Sequence, residues 1–207
     1  MKKSLTLYTN PMSRGRIARW MMEEVGEPYD VVQLEFGPAM KHGDFVAMNP
    51  MGKVPILKHG DTVVSEAAAI CAYLADAFPK KKLAPALDQR GAYYRWLFFA
   101  AGPVEAAVTA KALGLLAPSE KSGMAGYGSF EKTIDTLEQA VAGREFIAGD
   151  EFTAADVYVG SQIGWGLMFG TIEQRPAFTA YVGRLRARPA ALRANELDDA
   201  AMPAKKS

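Results

Sequence analysis

Along the first third of the chain, short apolar runs alternate with stretches whose apolar residues recur at helical spacing. Leu5–Thr9 (LTLYT) predicts a strand. Ile17, Ala18, Met21 and Val25 then fall on one helical face, Arg14, Arg16, Arg19, Glu23 and Glu24 fall largely on others, and Gly26 followed by Pro28 marks the stop. Tyr29–Leu34 predicts a second strand, FGPAMKHGDF a loop with a short helix, and Val54–Leu57 a third strand. KHGDTVVS predicts a hairpin, with His59 and Gly60 at the turn and Thr62–Ser65 returning as a fourth strand. From Glu66 to Phe78 one helical face is apolar through Ile70, Tyr73, Leu74 and Ala77, and Pro79 closes the helix.

The order is β-α-β, then a loop with a short helix, then β-β-α. It resembles a thioredoxin-like domain more than a doubly wound sheet, because the late hairpin supplies an antiparallel edge. After FPKKKLAPALDQ the alternating signal fades and Ala, Leu, Glu and Arg dominate. The spacing predicts helices over 88–116, 119–142, 153–170, 175–188 and weakly 190–200, the first kinked at Gly102-Pro103, with the AMPAKKS tail frayed. The expected architecture is an α/β thioredoxin-like domain over 1–79, a linker over 80–88 and an all-α domain over 89–207.

Composition narrows the function. With Lys+Arg 24 against Asp+Glu 23 in 207 residues, the net charge of +1 provides no field for gathering polyanions, so neither nucleic acid nor a membrane is an expected partner. Hydrophobic residues at 49% suffice for a core. The most apolar stretch, Trp96–Leu116, is interrupted by Gly102, Pro103, Glu105 and Lys111, short of the roughly 18–20 residues of a membrane span. MKKSLTLYTNPMSRGR lacks a secretory apolar region, which points to a cytoplasmic protein. Cys71 is the one cysteine and His42 and His59 the two histidines, so neither an intramolecular disulfide nor a His/Cys metal site is expected. Cys71 lies between Ile70 and Tyr73 on an apolar helix and reads as core.

Chemistry has three candidate places. The turn Asn10–Arg16 joins the first strand to the first helix, where a helix N-terminus favours an anion; Ser13 either caps this helix or donates its hydroxyl to a bound thiolate. In NPMGKVPIL, Pro55 removes a donor at the start of a strand and leaves the Val54 backbone free to pair with something extended, while Lys53 is otherwise one more solvated charge. Ser65-Glu66-Ala67 opens another helix, where an acid either compensates the dipole or takes an ammonium. Thr153-Ala154-Ala155-Asp156 has the form of a capping box and reads as structural. Trp96, Phe99, Trp165 and Phe169 read as helix packing or as the lining of an apolar pocket.

Four segments in this order, Y-x-x-P-x-S-R ending in RWMMEEVG, NPMGKVPIL, SEAAAICAYLADAFP and GDEFTAADV, resemble the cytosolic glutathione transferase family over nearly the whole chain. The resemblance implies a thioredoxin-like domain that binds glutathione as co-substrate, without a metal, and a helical domain that supplies most of the acceptor pocket. It implies attachment of the glutathione sulfur to small hydrophobic electrophiles, usually by a homodimer. By motif, Val54 pairs its backbone with the cysteinyl part of glutathione beside a cis Pro55 bond. Glu66 and the Ala67 N–H hold the γ-glutamyl end, and Lys53 with Lys41 or His42 lies near the glycyl carboxylate. Met12, Trp96, Phe99, Trp165 and Phe169 are the candidates for the acceptor pocket.

Two departures matter. The usual acid-serine pair is Glu66-Ala67 here, which loses a hydroxyl. The thiol-activating position is open: Ser13-Arg14 looks like the serine-type, theta-like arrangement, the bacterial beta class would put a cysteine at Arg14, and the tyrosine-type classes would put tyrosine at Asn10. Ser13 is favoured, with Arg16 and Tyr8 as reserves. Lowering a thiol pKa from about 8.5 to about 6.5 requires about 2.7 kcal/mol of preference for the thiolate. A helix N-terminus contributes about 0.3–1 kcal/mol and a hydrogen bond to a charged group about 1.5–3 kcal/mol, so an aimed hydroxyl supplies the larger share. The rival readings are another glutathione-dependent enzyme, such as an isomerase, dehalogenase or peroxidase, and a non-catalytic scaffold that keeps the two-domain shape.

Overall fold

A computed structural model describes residues 4–203; residues 204–207, most of the tail expected to fray, lie outside the described residues. The chain divides into two units, one made of residues up to Lys81 together with those from Arg188 onward, the other of Lys82–Ala187.

In the first unit the predicted elements appear in order: β1 (Leu5–Thr9), α1 (Gly15–Val25), β2 (Asp30–Gln33), α2 (Gly43–Met48), β3 (Ile56–His59), β4 (Thr62–Ser65) and α3 (Ala67–Ala77). They form a four-stranded sheet in the order β2-β1-β3-β4, parallel between β1 and β2 and antiparallel across the other two pairs. The third strand starts two residues later than expected, after Pro55, which lacks an N–H for the ladder. The hairpin turn is Gly60-Asp61 rather than His59-Gly60, because His59 pairs with Thr62 and Gly60, at φ +60, takes the left-handed position. Strand alternation sorts the faces: Tyr8 and Ile56 pack with Met40 and Phe45, while Leu7 and Leu57 point the other way and are fully buried. Gly26 ends α1 in the left-handed conformation, its N–H donating to the Met22 carbonyl at 2.9 Å.

The second unit is all helical: α4 (Gly91–Phe99), α5 (Glu105–Ala112), α6 (Phe130–Val141), α7 (Ala154–Phe169) and α8 (Pro176–Arg186). A π-helical segment, Ala100–Val104, joins α4 to α5 and contains the expected Gly102-Pro103 irregularity. The helix expected over 119–142 is shorter. Residues Ser119–Met124 form a 3-10 turn, Gly128 is left-handed, and α6 begins only where the Ser129 side chain accepts from the Lys132 N–H.

The capping box at α7 is a buried knot. Asp156 accepts from the Thr153 N–H at 2.9 Å, the Thr153 hydroxyl at 3.1 Å, the Ile147 N–H at 2.8 Å and the Tyr181 hydroxyl at 2.7 Å. Burial pushes the Asp156 carboxyl's pKa up against the opposing effect of these donors.

The last helix, α9 (Pro189–Ala200), was expected in the helical domain but belongs to the first unit, where it packs on α1. Polar contacts hold it along the length of α1. Arg188 grips the Glu24 carboxylate through Nε at 2.7 Å and Nη2 at 2.8 Å, and the Trp20 Nε1–H donates to the same carboxylate at 2.9 Å. Arg19 and Asp198 form a buried ion pair at 2.7 Å. Burial favours the uncharged form of Arg19, but the Asp198 charge and hydrogen bond outweigh it and hold the guanidinium's pKa above its ordinary value. Nearer the start of α1, Arg16 bonds Asp199 at 2.7 Å, and the Gln33 side chain donates to the Ala201 carbonyl at 2.9 Å.

Asp156→Ala leaves four donors without their acceptor and is expected to cost about 2–4 kcal/mol in urea unfolding; a loss below about 0.5 kcal/mol would mean the knot does not hold α7. Beside the Arg19 pair, burial, and then the Tyr29 hydroxyl's 2.6 Å bond to Glu23, push the Tyr29 pKa to about 12. The folded state therefore keeps this proton while an unfolded tyrosine, at 10.0, has lost it. The stability it contributes is complete below pH 10.0 and declines as pH rises towards about 12. Urea midpoints across this range should fall less steeply in Tyr29→Phe than in wild type; parallel curves would exclude Tyr29 as a source of the decline.

Candidate functional site

Sheet register brings the candidate segments together. Tyr8 at the end of β1 stands opposite Ile56 at the start of β3, and Ile56 stands opposite Ser65 at the end of β4. Beyond Tyr8 the chain runs through Asn10–Ser13 into α1, before Ile56 come Lys53, Val54 and Pro55, and after Ser65 come Glu66 and α3. Two helix N-termini and one irregular strand start thus share one end of the sheet. The positive ends of both helix dipoles lie there, which suits anionic groups.

Asn10 builds the first turn. Its Nδ2 donates to the Leu34 carbonyl at 2.7 Å and its Oδ1 accepts from the Met12 N–H at 2.8 Å. The Ser13 hydroxyl donates to the Asn10 carbonyl at 2.7 Å while accepting from the Gly15 N–H at 2.9 Å. Ser13 thus braces the turn one residue ahead of the cap position, which Arg14 occupies without a side-chain cap bond, and its hydroxyl must turn from Asn10 to donate elsewhere. Arg16 reaches back over the turn, its Nε donating to the Pro11 carbonyl at 2.6 Å. Tyr8 is half-buried, its ring 6.5 Å from that of Phe45. Met12 is 54% exposed on the turn.

The second segment is built by Asn49, whose Oδ1 accepts from the Met51 N–H at 3.2 Å and whose Nδ2 donates to the Lys53 carbonyl at 2.9 Å. An Asn opening N-P-x-G is the local signal for this turn. Gly52 has φ +59, and a Cβ there would lie 2.5 Å from the Met40 carbonyl oxygen, so only glycine fits. The Val54–Pro55 bond is cis. Lys41 donates through Nζ to the Gly52 carbonyl at 3.1 Å, and both Lys53 and His42 are exposed.

At the third segment Glu66 is exposed and holds φ 69, ψ 118, a left-handed region that a non-glycine residue occupies at a cost of about 1–3 kcal/mol. Glu66 precedes α3 instead of standing in its first turn, and its side chain makes no cap bond, so dipole compensation from within the helix is not its arrangement. Ala67, buried, opens α3. Cys71, deeper in α3, is fully buried, and burial pushes its thiol pKa up, as a core residue requires.

Within the helical unit Trp96 is 7% exposed, its ring edge-on to Phe99 at 5.7 Å and covered by the Arg95 guanidinium at 4.4 Å. It packs α4, which leaves little of it for a ligand. Phe99 and Trp165 are half-buried and Phe169 is 72% exposed at the end of α7. Among the described residues no group of three or more His, Cys, Asp or Glu side chains could hold a metal ion, and no helix is long and apolar enough to cross a membrane.

The family description "Glutathione S-transferase, N-terminal domain" matches residues 3–76, and "Glutathione S-transferase, C-terminal domain" matches residues 81–194, more than half of the chain. The chain belongs to the glutathione S-transferase family. Glutathione S-transferase 1 of Dianthus caryophyllus is 42% identical over 53 residues, a match covering 25% of this chain and 24% of that protein. The matches to the first curated transferases thus span well under two thirds of their length. Whole-chain similarity comes from structures. A glutathione transferase from Methylococcus capsulatus is 26% identical with a TM-score of 0.77, covering 95% of this chain and 99% of its own. A sphingomonad glutathione S-transferase complexed with glutathione is 28% identical with a TM-score of 0.75, covering 94% and 98%.

In this transferase fold the first turn leaves no room at Gly15, where an added Cβ would collide with the Thr9 hydroxyl. Gly15→Ala should therefore cost about 1–3 kcal/mol in thermal or urea unfolding, with part of the loss recovered in Thr9→Ala/Gly15→Ala. Equal losses in the single and double variants would show that the collision is relieved elsewhere.

Proposed function

We propose that this chain is a glutathione S-transferase that binds glutathione at the shared sheet end and uses its thiolate to attack small hydrophobic electrophiles. The observation that carries the reading is the row Tyr8–Ile56–Ser65, which gathers the N-termini of α1 and α3 beside the cis Val54–Pro55 step. The sphingomonad relative, described as complexed with glutathione, supports the choice of ligand.

In this reading the Val54 backbone pairs with the cysteinyl unit of glutathione. The Glu66 carboxylate takes the ammonium and the Ala67 N–H the carboxylate of the γ-glutamyl end, which gives a role to the strained Glu66 backbone. Lys53, with Lys41 or His42, neutralises the glycyl carboxylate. The Ser13 hydroxyl leaves the Asn10 carbonyl and donates to the sulfur, adding a charge-assisted bond to the effect of the α1 N-terminus. The thiolate electron pair then forms the new sulfur–carbon bond as the acceptor's leaving group departs or its π electrons move outward. Arg16 and Tyr8 are the reserve activating groups, although Arg16 is engaged by Pro11 and Asp199 and Tyr8 packs on Phe45. Within the helical unit Phe99, Trp165 and Phe169 are the proposed acceptor contacts, Trp96 there being buried; within the first unit the proposed contact is Met12, exposed beside Ser13. A cytoplasmic homodimer completes the reading, and light scattering checks the oligomer.

Calorimetric titration of glutathione together with conjugation to an aromatic halide tests it. Wild type should bind and turn over, Glu66→Gln should weaken binding about tenfold, and Ser13→Ala should lower turnover about 10- to 100-fold with glutathione affinity little changed. Turnover unaltered in Ser13→Ala across neutral pH would remove Ser13 from the role, and absence of glutathione binding by wild type would overturn the reading.

A further inference from the structure

Arg16 is held at two places that no local sequence pattern connects. Its Nε–H donates to the Pro11 carbonyl at 2.6 Å, inside the turn that carries Ser13, and its Nη2–H donates to Asp199 Oδ1 at 2.7 Å, on α9. The arginine side chain is 23% exposed and Asp199 68% exposed. Such an exposed pair contributes little to stability by itself. Its geometry is nevertheless set from behind. One residue earlier, Asp198 is locked to Arg19 with side chains 1% and 5% exposed respectively, and at the other end of α9 Arg188 grips Glu24 bidentately. A helix fixed at both ends presents Asp199 at one height along α1. Without that acceptor, the guanidinium has rotamer freedom that its bond to Pro11 alone does not remove.

We propose that Asp199 is a positioning residue for thiol activation: through Arg16 it fixes the Pro11 carbonyl, and with it the Asn10–Ser13 turn from which the Ser13 hydroxyl reaches the glutathione sulfur. The inference rests on the proposed transferase reading. Asp199 touches no reacting atom. Its effect is to hold Arg16, the second residue of α1, as a brace on the turn that precedes the helix. The carbonyl that Arg16 grips lies two residues before Ser13, and the hydroxyl that must turn away from the Asn10 carbonyl does so within a turn whose shape the brace preserves.

The test uses the full chain, with glutathione and an aromatic halide as probes, and compares wild type, Asp199→Ala and Asp199→Asn. The asparagine keeps an oxygen acceptor for Arg16 without the charge. Asp199→Ala is expected to lower kcat about tenfold, the scale on which misplaced reacting groups lose rate, while KM for glutathione changes less than about twofold. The alkaline-rising limb of its kcat/KM profile, and the thiolate absorbance of bound glutathione read independently of turnover, should move to higher pH. Asp199→Asn should restore kcat and the titration to near wild type. An unchanged thiolate titration in Asp199→Ala would overturn the proposal, as would equal impairment of the alanine and asparagine variants, which would assign the effect to charge instead of position. Thermal unfolding of each variant separates lost fold from lost positioning. If wild type itself neither binds nor turns over glutathione, the transferase reading fails first, an outcome distinct from a normal wild type with an insensitive Asp199.

Discussion

The register between β1, β3 and β4 is the constraint on which the site depends. Tyr8, Ile56 and Ser65 form one row, and a slip of one residue in either pairing would exchange the side chains of β3 between the two faces of the sheet and carry Pro55 or Glu66 away from the first turn. The register is fixed by burial on both faces, with Leu7 and Leu57 fully buried on one side and Ile56 packed with Phe45 and Met40 on the other. It is fixed again by the two-residue Gly60-Asp61 turn, which leaves no slack between β3 and β4. Chemistry at the sheet end is in this sense a consequence of hydrophobic packing several residues away.

Around that row, polar side chains shape backbone more than they act on one another. Asn10 and Asn49 each satisfy backbone groups on both sides of a turn, and Ser13 both donates and accepts within its own turn. Gly15 and Gly52 stand where a Cβ would strike the Thr9 side chain or the Met40 carbonyl. The strain retained at Glu66 contrasts with this otherwise satisfied surrounding, and strained backbone in a well-bonded setting is the pattern expected where a ligand contributes the missing interactions.

Much of this was legible in the sequence because it is local. The helix from Gly15 to Val25 followed from apolar spacing and a glycine stop, the hairpin from period-two residues around Gly60, and the capping box from Thr153 and Asp156. The candidate segments were recognised by residue type, and their meeting followed only once the β-β-α order was taken as an antiparallel edge. What was not legible is non-local or irregular. The helix expected from 119 gives way to a 3-10 turn over Ser119–Met124 and a left-handed Gly128, whose conformation single-residue propensity does not reveal. Trp96 is buried on α4, whose packing against α7 is a tertiary contact. Placing α9 on α1 depends on Arg19 finding Asp198 and Glu24 finding Arg188, pairs separated by 179 and 164 positions. A charged helix face without a visible partner reads as solvated until that partner is seen.

The return of α9 gives the thioredoxin-like unit a dependence on synthesis order. Its sheet and its first three helices leave the ribosome long before residues 188–200, so α1 waits with Arg19 and Glu24 lacking their counter-charges while the whole helical unit is made. The nascent unit is for that interval an unfinished surface, and the same holds for a fragment cut at Lys81. A domain contiguous in its fold but divided in its chain is complete only when residues 188–200 have followed the helical unit, so the part that carries the proposed thiol chemistry is made before that unit and closed after it.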